Sequence, residues 1–316
     1  MNKSKKLVFI PYAYDAEKET GINMIKFSDA FDIYCKNFCV ALISLKLENP
    51  DDDVALVTNV DIPHKYTSIL KQSNILIYKE AYDNFVFPDK YKWSLAFYKL
   101  CALKKMVEKY DYDYYCYVDT DIIANRPLDD VWKECEEHIM LYDINHGLNV
   151  KDYSNFLEES NHFLGKTTYT THYGGEFFAS NRKNAKIFID ECQHIYNEII
   201  KRDFVTSCGD EFILSLAARD LNTLIKNAGA YIFRFWTGSF RLVSTSYKYN
   251  PVSILHLPSE KTDGIIKAFD KFVKKNKFPP KNKIYKMCHI RKIKLTVRIK
   301  SFIKRILTTI EGNRGI

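Results

Sequence analysis

Two aspartates separated by one residue, Asp119 and Asp121, follow the apolar run YYCYV at 114–118. On an extended backbone, side chains two residues apart point to the same side. Two carboxylates about 4 Å apart repel each other by about 4 kcal/mol at an effective dielectric constant of roughly 20, and a divalent cation between them removes that repulsion. Oxygen ligands suit Mg²⁺ and Mn²⁺, which also bind phosphate oxygens. The pair therefore predicts a metal site for a nucleotide substrate.

The alternative interpretation of such a pair is a polar turn that happens to contain two acids. Asp111 and Asp113 have the same spacing, but they precede the apolar run instead of following it. Ligands of open parallel sheets bind beyond the carboxyl ends of the strands. We therefore assign Asp111 and Asp113 to a turn and Asp119 and Asp121 to a site.

The elements around the pair alternate between short apolar runs and longer segments in which apolar residues recur at three and four. Buried strands are predicted at 7–12, 53–59, 74–80, 114–119, 138–143, 176–181, 231–235 and 253–257. Helices are predicted at 28–47, 63–73, 93–110, 184–202, 210–219 and 262–275. This order predicts an α/β fold, with a mostly parallel central sheet and helices on both faces.

The charge divides the chain into two parts. Residues 281–316 contain eleven Lys or Arg and one acid, whereas the whole chain of 316 residues has a net charge of +8. We therefore predict one domain over 1–280, closed by the sequence FPPK at 278–281, and a basic tail over 281–316. The eight cysteines form no C-x-x-C pair, and we expect reduced thiols.

Three segments resemble those of a known class of enzymes in order and spacing. Residues 93–132 contain a tryptophan, a lysine-bearing helix and the sequence VDTD, residues 173–199 begin YGGEFF, and residues 209–216 are GDEFILSL. Together they resemble retaining GT-A-fold glycosyltransferases of the glycogenin-like and blood-group A/B transferase-like families. The resemblance runs discontinuously from about Val8 to Lys261. It implies a GT-A (Rossmann-like) fold, a UDP-sugar donor and a Mn²⁺ or Mg²⁺ cofactor.

The resemblance also implies roles for single residues on the donor side. Asp119 and Asp121 match the ligands of the metal and the nucleotide diphosphate. Tyr14 matches a tyrosine that contacts the nucleotide base. Trp93 and Lys99 match the donor-binding tryptophan and the basic residue that contacts the diphosphate or the donor sugar.

A histidine late in the chain, His256 in SILHLPSEK, matches the one that completes the metal site of the glycogenin-like family. The alternative for His256 is an ordinary residue at the rim of an apolar strand. Beyond it the sequence departs from the family pattern, because Pro258 alters the spacing and Lys261 comes one residue early. Lys261 is therefore a weaker match to the phosphate-binding lysine.

Two acids, Asp210 and Glu211, are the candidates for the carboxylate that glycosyl transfer needs near the anomeric carbon. The sequence Cys208-Gly209 predicts a turn, and Phe212 opens an apolar helix. Acids at a helix start also cap it, which contributes about 1 kcal/mol. Both roles are compatible if Asp210 caps the helix and Glu211 points into the cleft. The A/B transferase-like families imply that Glu211 lies beneath the donor sugar.

The remaining candidates contact sugars. Gly174 and Gly175 allow backbone to approach a sugar closely, and Glu176 beside them offers a partner for sugar hydroxyls. His146, in DINHGLN, resembles an acceptor-binding segment, with a loop turn as its alternative. Trp236 and Arg241 are further candidates for acceptor or diphosphate binding.

The basic tail has the pattern of an amphipathic helix. Six apolar residues share one face of a helical wheel: Leu295, Ile299, Phe302, Ile303, Ile306 and Ile310. Basic residues occupy the flanks, which is typical of binding to an anionic membrane surface. Nucleic-acid binding is disfavoured because stacking aromatics and a recognisable module are missing. The alternative is a helix packed on the domain or on a partner.

These observations predict a metal-dependent hexosyltransferase that acts on an oligosaccharide or lipid-linked acceptor in lipopolysaccharide or capsule synthesis. We expect a cytoplasmic enzyme that is peripheral on the inner face of the cell membrane. One rival is a sugar-nucleotide nucleotidyltransferase, which would require a Gly-rich loop after the first strand, where this sequence has none. The other rival is a non-catalytic nucleotide- or glycan-binding module.

Overall fold

The structure is a computed structural model that describes residues 4–15, 30–88, 90–91, 93–144, 150–237 and 252–290, with 295–296, 299–300, 302–303 and 306. Its strands are β1 Lys6–Tyr12, β2 Asp53–Thr58, β3 Leu76–Lys79, β4 Tyr114–Val118, β5 Ile122–Ala124, β6 Ile139–Asp143, β7 Tyr173–Asn181, β8 Ile225–Asn227, β9 Ile232–Arg234 and β10 Ile254–His256. Its helices are α1 Ala30–Glu48, α2 His64–Gln72, α3 Tyr98–Lys109, α4 Asp129–Glu134, α5 Val150–Leu164, α6 Arg182–Lys201, α7 Asp210–Asp220, α8 Gly264–Lys275 and α9 Lys281–Met287.

The main sheet has seven strands in the order β3-β2-β1-β4-β7-β6-β8. The first four pair in parallel, β7 runs antiparallel to β4 and β6, and β8 pairs in parallel with β6. The four predicted strands from 7 to 119 therefore form the parallel half of the sheet. The continuous apolar sequence of β1, β2 and β4 fits their burial on both faces. The prediction of a buried strand at 74–80 was wrong, because β3 lies at the edge of the sheet and its four residues are partly or fully exposed.

Helices cover both faces of this sheet, as the sequence predicted. On β1, Val8 and Ile10 face the layer that contains α1, α2 and α8, whereas Leu7 and Phe9 face the layer of α3, α6 and α7. All four side chains are fully buried. The alternation of a strand thus fills two separate cores from one sequence.

A second, three-stranded sheet in the order β5-β10-β9 follows the aspartate pair. Strand β10 runs antiparallel to β5 and parallel to β9. Its attachment to α1 includes a hydrogen bond from the Ala124 N–H to the Ser44 hydroxyl at 2.9 Å. This small sheet brings together three segments that are distant in sequence, which begin at residues 122, 232 and 254.

The chain beyond residue 280 continues to pack on the domain. Ile284, Cys288 and Ile290 are buried in the core that lies against α1 and α8. The sequence-based boundary at 280 assigned these residues to the tail, and their burial moves the end of the packed domain to about Ile290. Further on, Leu295 and Phe302 are helical and exposed.

Two further observations concern thiols and membrane spans. All eight cysteines are free thiols, and seven of them are buried. Among the helices of the described residues, none combines the length and the hydropathy that crossing a bilayer requires.

Candidate active site

The aspartate pair lies between β4 and β5, where the main sheet gives way to the small sheet. The N–H of Leu257 donates to the Asp121 carbonyl at 2.9 Å, and the register of β10 on β5 pairs His256 with Ile122. His256 is thereby held beside the pair. Ligand atoms of Asp119, Asp121 and His256 all lie within 4.8 Å of one another. The structure thus brings the three predicted metal ligands together.

These three side chains fit a divalent metal. Asp121 is fully buried, and within the described part of the chain neither of its carboxylate oxygens accepts a hydrogen bond. Its nearest cations are His256 Nε2 and Lys261 Nζ, each 3.3 Å from Oδ2. Buried oxygens without hydrogen bonds are rare and call for a further partner. Two carboxylates and an imidazole are a ligand set that Mn²⁺ and Mg²⁺ accept.

The neighbouring charges set the protonation of this cluster. Burial raises the pKa of Asp121, but Lys261 and His256 more than offset this and hold it well below its usual range. Burial lowers the pKa of His256, but Asp121 and Glu176 raise it to about 9. Asp121 is therefore ionised at neutral pH.

A second cluster joins α3 to the start of α7. Lys99 Nζ lies 2.9 Å from Asp119 Oδ1 and 3.4 Å from Asp210 Oδ2. Asp210 makes no capping hydrogen bond to α7, whose N-cap is Gly209. The expected capping role is therefore not seen, and Asp210 instead pairs with the predicted donor-binding lysine.

A third cluster centres on Arg234 at the end of β9, a residue that sequence analysis did not select. Its guanidinium donates to Glu176 from Nε at 2.6 Å and from Nη2 at 2.5 Å, and Nη2 lies 3.2 Å from Glu211 Oε1. His172 Nε2 lies 3.0 Å from Glu211 Oε2. The ring of His172 stacks on Phe156, with 4.2 Å between centroids. Arg234 thus joins the predicted sugar-binding and catalytic carboxylates.

The sequence indicated a role for Arg234 only through its position on the predicted strand 231–235. It lies in register with His256 on β10, so the two side chains reach the same edge of the small sheet. His256 Nδ1 also lies 3.2 Å from Glu176 Oε1. Because β9 has three residues and its pairing to β10 is not local, the sequence alone did not align the two positions.

The two glycines of β7 occupy positions where a larger side chain would not fit. A Cβ at Gly174 would collide with the Glu176 carboxylate, and a Cβ at Gly175 would collide with Asp210 Oδ2. Glycine at both positions therefore lets the second and third clusters lie against the strand. Their predicted contact with a sugar remains a prediction.

The other predicted site residues lie around these clusters. Tyr14 follows β1, packs on Phe31 and exchanges hydrogen bonds with the Asn59 side chain at 2.9 and 3.1 Å. Trp93 lies against Gly209, whose φ of 60° is in the left-handed region. Trp236 is partly exposed. His146 and Arg241 lie outside the described residues.

Asp111 and Asp113 occupy the opposite end of β4, as expected for a turn. Asp113 accepts the Lys5 backbone N–H at 2.8 Å, and Asp111 pairs with Arg182 at 2.6 Å. The side chain of Asp111 is 83% exposed, whereas that of Asp121 is 0% exposed. Identical spacing thus gives a solvated pair at one end of the strand and, at the other, a fully buried Asp121 beside a partly exposed Asp119.

The buried Asp210 predicts a pH-dependent stability. Burial, with Glu211 and Asp119 nearby, raises its pKa from 3.8 to about 6 despite Lys99. This rise corresponds to about 3 kcal/mol that favours the protonated folded state. The favourable contribution is full below about pH 4 and is lost as pH rises through about 6. Asparagine at this position does not titrate.

For Asp210→Asn we therefore expect the free energy of unfolding, relative to the unmodified chain, to rise by about 3 kcal/mol between about pH 4 and 7. Lys99 keeps Asp119 as its partner in this variant. Urea denaturation at a series of pH values in the presence of a chelator measures the difference. A difference that stays constant across this range would contradict the prediction.

Comparisons with known proteins add information on the fold. No protein-family model matches the sequence, and no curated protein matches it. The galactosyltransferase LgtC, solved with donor and acceptor sugar analogues, superposes with a TM-score of 0.55 at 14% identity over 88% of this chain and 98% of that chain. An active-site mutant of LgtC gives 0.54 at 14% identity over 90% and 99%.

A third solved structure, mouse xyloside xylosyltransferase 1, gives a TM-score of 0.51 at 10% identity over 80% of this chain and 97% of that chain. All three superpositions extend over most of both chains. Together with the parallel half-sheet and the aspartates at its carboxyl edge, they show that this chain has the GT-A fold of glycosyltransferases.

Proposed function

We propose that this protein is a metal-dependent glycosyltransferase that moves a sugar from a nucleotide-diphosphate donor, a UDP-sugar, to a hydroxyl of a saccharide or glycolipid acceptor. The observation that carries the proposal is the cluster of Asp119, Asp121 and His256 at the carboxyl edge of the sheet in a GT-A fold. Support also comes from LgtC, which shares the fold and was solved with donor and acceptor sugar analogues.

On the donor side, Asp119, Asp121 and His256 would hold Mn²⁺ or Mg²⁺, which when bound neutralises charge on the departing diphosphate. Burial lowers the pKa of Lys99 and Lys261, but the adjacent carboxylates raise it well above its usual value, so both stay charged. When their carboxylate partners are engaged elsewhere, the two ammonium groups are left to bind phosphate oxygens.

On the sugar side, Glu211 is the carboxylate best placed to support a developing positive charge at the anomeric carbon. Its side chain is 24% exposed, whereas Asp210 and Glu176 are almost fully buried. Burial raises the pKa of Glu211, but His172 and Arg234 more than offset this and lower it below the usual value. Glu211 therefore acts as an ionised carboxylate, with His172 and Arg234 as positioning residues.

An ionised Glu211 held by two partners favours electrostatic or nucleophilic support on one face of the sugar, and thus retention of configuration. The anomeric configuration of the product, read by NMR coupling constants, tests this part of the proposal. An inverted product would contradict it.

Nucleotide binding tests the proposal as a whole. We expect one diphosphate from a panel of UDP, GDP and dTDP, with CMP as a monophosphate control, to raise the melting temperature only when Mn²⁺ or Mg²⁺ is present. A ligand at 100 times its dissociation constant stabilises the folded state by about 2.7 kcal/mol. Turnover of the matching nucleotide-sugar with a saccharide acceptor then separates an enzyme from a binding module. If every nucleotide leaves the melting temperature unchanged, the proposal fails.

For the cellular role we propose surface-polysaccharide synthesis at the cytoplasmic side of a membrane, with the tail as the attachment. Support comes from the exposed apolar side chains of Leu295, Phe302 and Ile303 in a strongly basic segment. A chain that ends at Ile290 is expected to lose at least about tenfold in affinity for anionic vesicles. Unchanged affinity would contradict this role.

A further inference from the structure

A groove lies on the face of the domain formed by α1, α8 and α9. Its volume is about 560 Å³, within the range of about 300–1,000 Å³ typical of ligand sites. We call it the lysine groove; its lining residues are Ser44, Leu47, Glu48, Ala124, Lys271, Lys275, Lys277, Phe278, Pro279, Pro280, Lys281, Lys283 and Ile284. None of them is among the residues of the candidate active site.

The rim of the lysine groove carries an excess of positive charge. Five of its lining residues are lysines, and Glu48 is the one acid among them. That acid is already paired, because Lys281 Nζ lies 2.8 Å from Glu48 Oε1. Within the described part of the chain, Lys271, Lys275 and Lys277 have no hydrogen bond or ion pair. Three lysines without an anionic partner thus line one cavity.

The floor of the lysine groove is apolar. Leu47 is 58% exposed although it belongs to a helix that is otherwise largely buried, and it lines the cavity together with Phe278 and Ile284. A free phosphate or a nucleotide phosphate gains no binding free energy from contact with such an apolar surface. An acyl chain does, because each buried methylene group contributes about 0.8 kcal/mol.

The backbone that forms part of the groove, between α8 and α9, is conformationally restricted. Helix α8 ends at Lys275, and its C-cap residue Asn276 has a φ of 44°, in the left-handed region, which turns the chain sharply. Phe278 then packs against the core, and Pro279 and Pro280 restrict the backbone before α9 begins. A preformed groove loses little conformational entropy when it is filled.

We propose that the lysine groove binds one anionic membrane phospholipid, with the headgroup phosphate at Lys271, Lys275 and Lys277 and an acyl chain over Leu47. Lysine stems can lie along the apolar floor while their ammonium groups reach the phosphate. Helix α9 lines part of the groove, and the exposed apolar residues Leu295 and Phe302 follow it in the chain. The two surfaces that could contact lipid are therefore close in sequence. The groove adds a defined lipid site to the general attraction of a basic tail.

The test uses the full chain and vesicles of equal parts of phosphatidylglycerol and phosphatidylcholine, with binding measured by co-sedimentation. Lys275→Glu/Lys277→Glu is compared with Lys183→Glu/Lys186→Glu, which changes the net charge equally on exposed lysines of α6, across the main sheet. We expect at least about tenfold weaker binding for the groove variant and less than about threefold for the control. Equal losses in the two variants, or no loss in either, would overturn the proposal.

A second variant separates a lipid from a soluble phosphate. Leu47→Asn keeps the charge and removes apolar floor at an exposed position, so its folding is not at risk. We expect it to weaken vesicle binding severalfold, and we expect glycerol phosphate not to compete with the vesicles. Full competition by glycerol phosphate would show that the groove takes a soluble phosphate, and unchanged binding of Leu47→Asn would show that no acyl chain occupies it; either result contradicts a lipid site.

Discussion

Asp121→Asn is expected to lower Mn²⁺ affinity by at least about a hundredfold, because even the loss of an outer partner of a metal ligand typically costs 10- to 100-fold. Asparagine at this position would keep the volume of the side chain but not the negative charge at the centre of the cluster. Glycosyl transfer should fall by about a hundred- to a thousandfold, since charge on the leaving diphosphate is no longer balanced. Electron paramagnetic resonance of Mn²⁺ measures the affinity without reference to activity.

Asp111→Asn is the matched control, since Asp111 belongs to a pair with the same spacing at the other end of β4. Its exposed ion pair with Arg182 contributes at most about 1 kcal/mol, so neither metal affinity nor activity should change. If Asp121→Asn bound Mn²⁺ as tightly as the control, the aspartate pair would not be a metal site. If it lost metal but kept activity, the metal would have no part in the reaction.

The parallel half of the fold was predictable because its signals are local. Strands β1 to β4 are continuous apolar runs, and α1 to α3 repeat their apolar residues at helical spacing. Strand β5 has only three residues, and α4 has six, so neither forms a periodic pattern. Helix α5 was missed for a different reason. Its sequence mixes apolar residues with acids, Asn and Ser, and the contact of α5 with α7 is supplied by tertiary packing.

The candidate site was predictable where residues are adjacent in sequence and less so where a distant strand supplies them. Asp119 and Asp121 are identifiable from their spacing and their position after an apolar run. His256 was found through a resemblance, and its approach to Asp121 depends on the antiparallel pairing of β10 with β5. Arg234 had no such motif, because its role arises from a register between two three-residue strands. The pairing of strands that are distant in the chain is the feature that is hardest to predict from a single sequence.

Arg234→Met is expected to lower the free energy of unfolding by about 3–5 kcal/mol, the range for breaking a buried ion pair by removing one partner. The side chain of Glu176 is 0% exposed, and Arg234 makes two hydrogen bonds to it. Burial raises the pKa of Glu176, but Arg234 and His256 more than offset this and hold it well below its usual range. Without Arg234, an ionised carboxylate remains buried with His256 as its nearest cation. Activity should also fall, because Glu211 loses a positioning contact.

Arg202→Met provides the control for loss of an arginine. Arg202, directly after α6, is 51% exposed, pairs with Glu198, donates to the Phe163 carbonyl at 2.9 Å and lies over the Phe163 ring. The loss of these partly exposed contacts should lower the free energy of unfolding by no more than about 2 kcal/mol, below the loss expected for Arg234→Met. The double variant Arg234→Met/Glu176→Gln removes both charges and should recover most of the stability lost in Arg234→Met, because no unpaired carboxylate is left in the interior. Its activity should stay low, since Glu211 still lacks Arg234. Equal stability of the single and double variants would mean that Arg234 contributes through packing rather than through Glu176, and recovery of activity in the double variant would mean that Glu211 does not depend on Arg234.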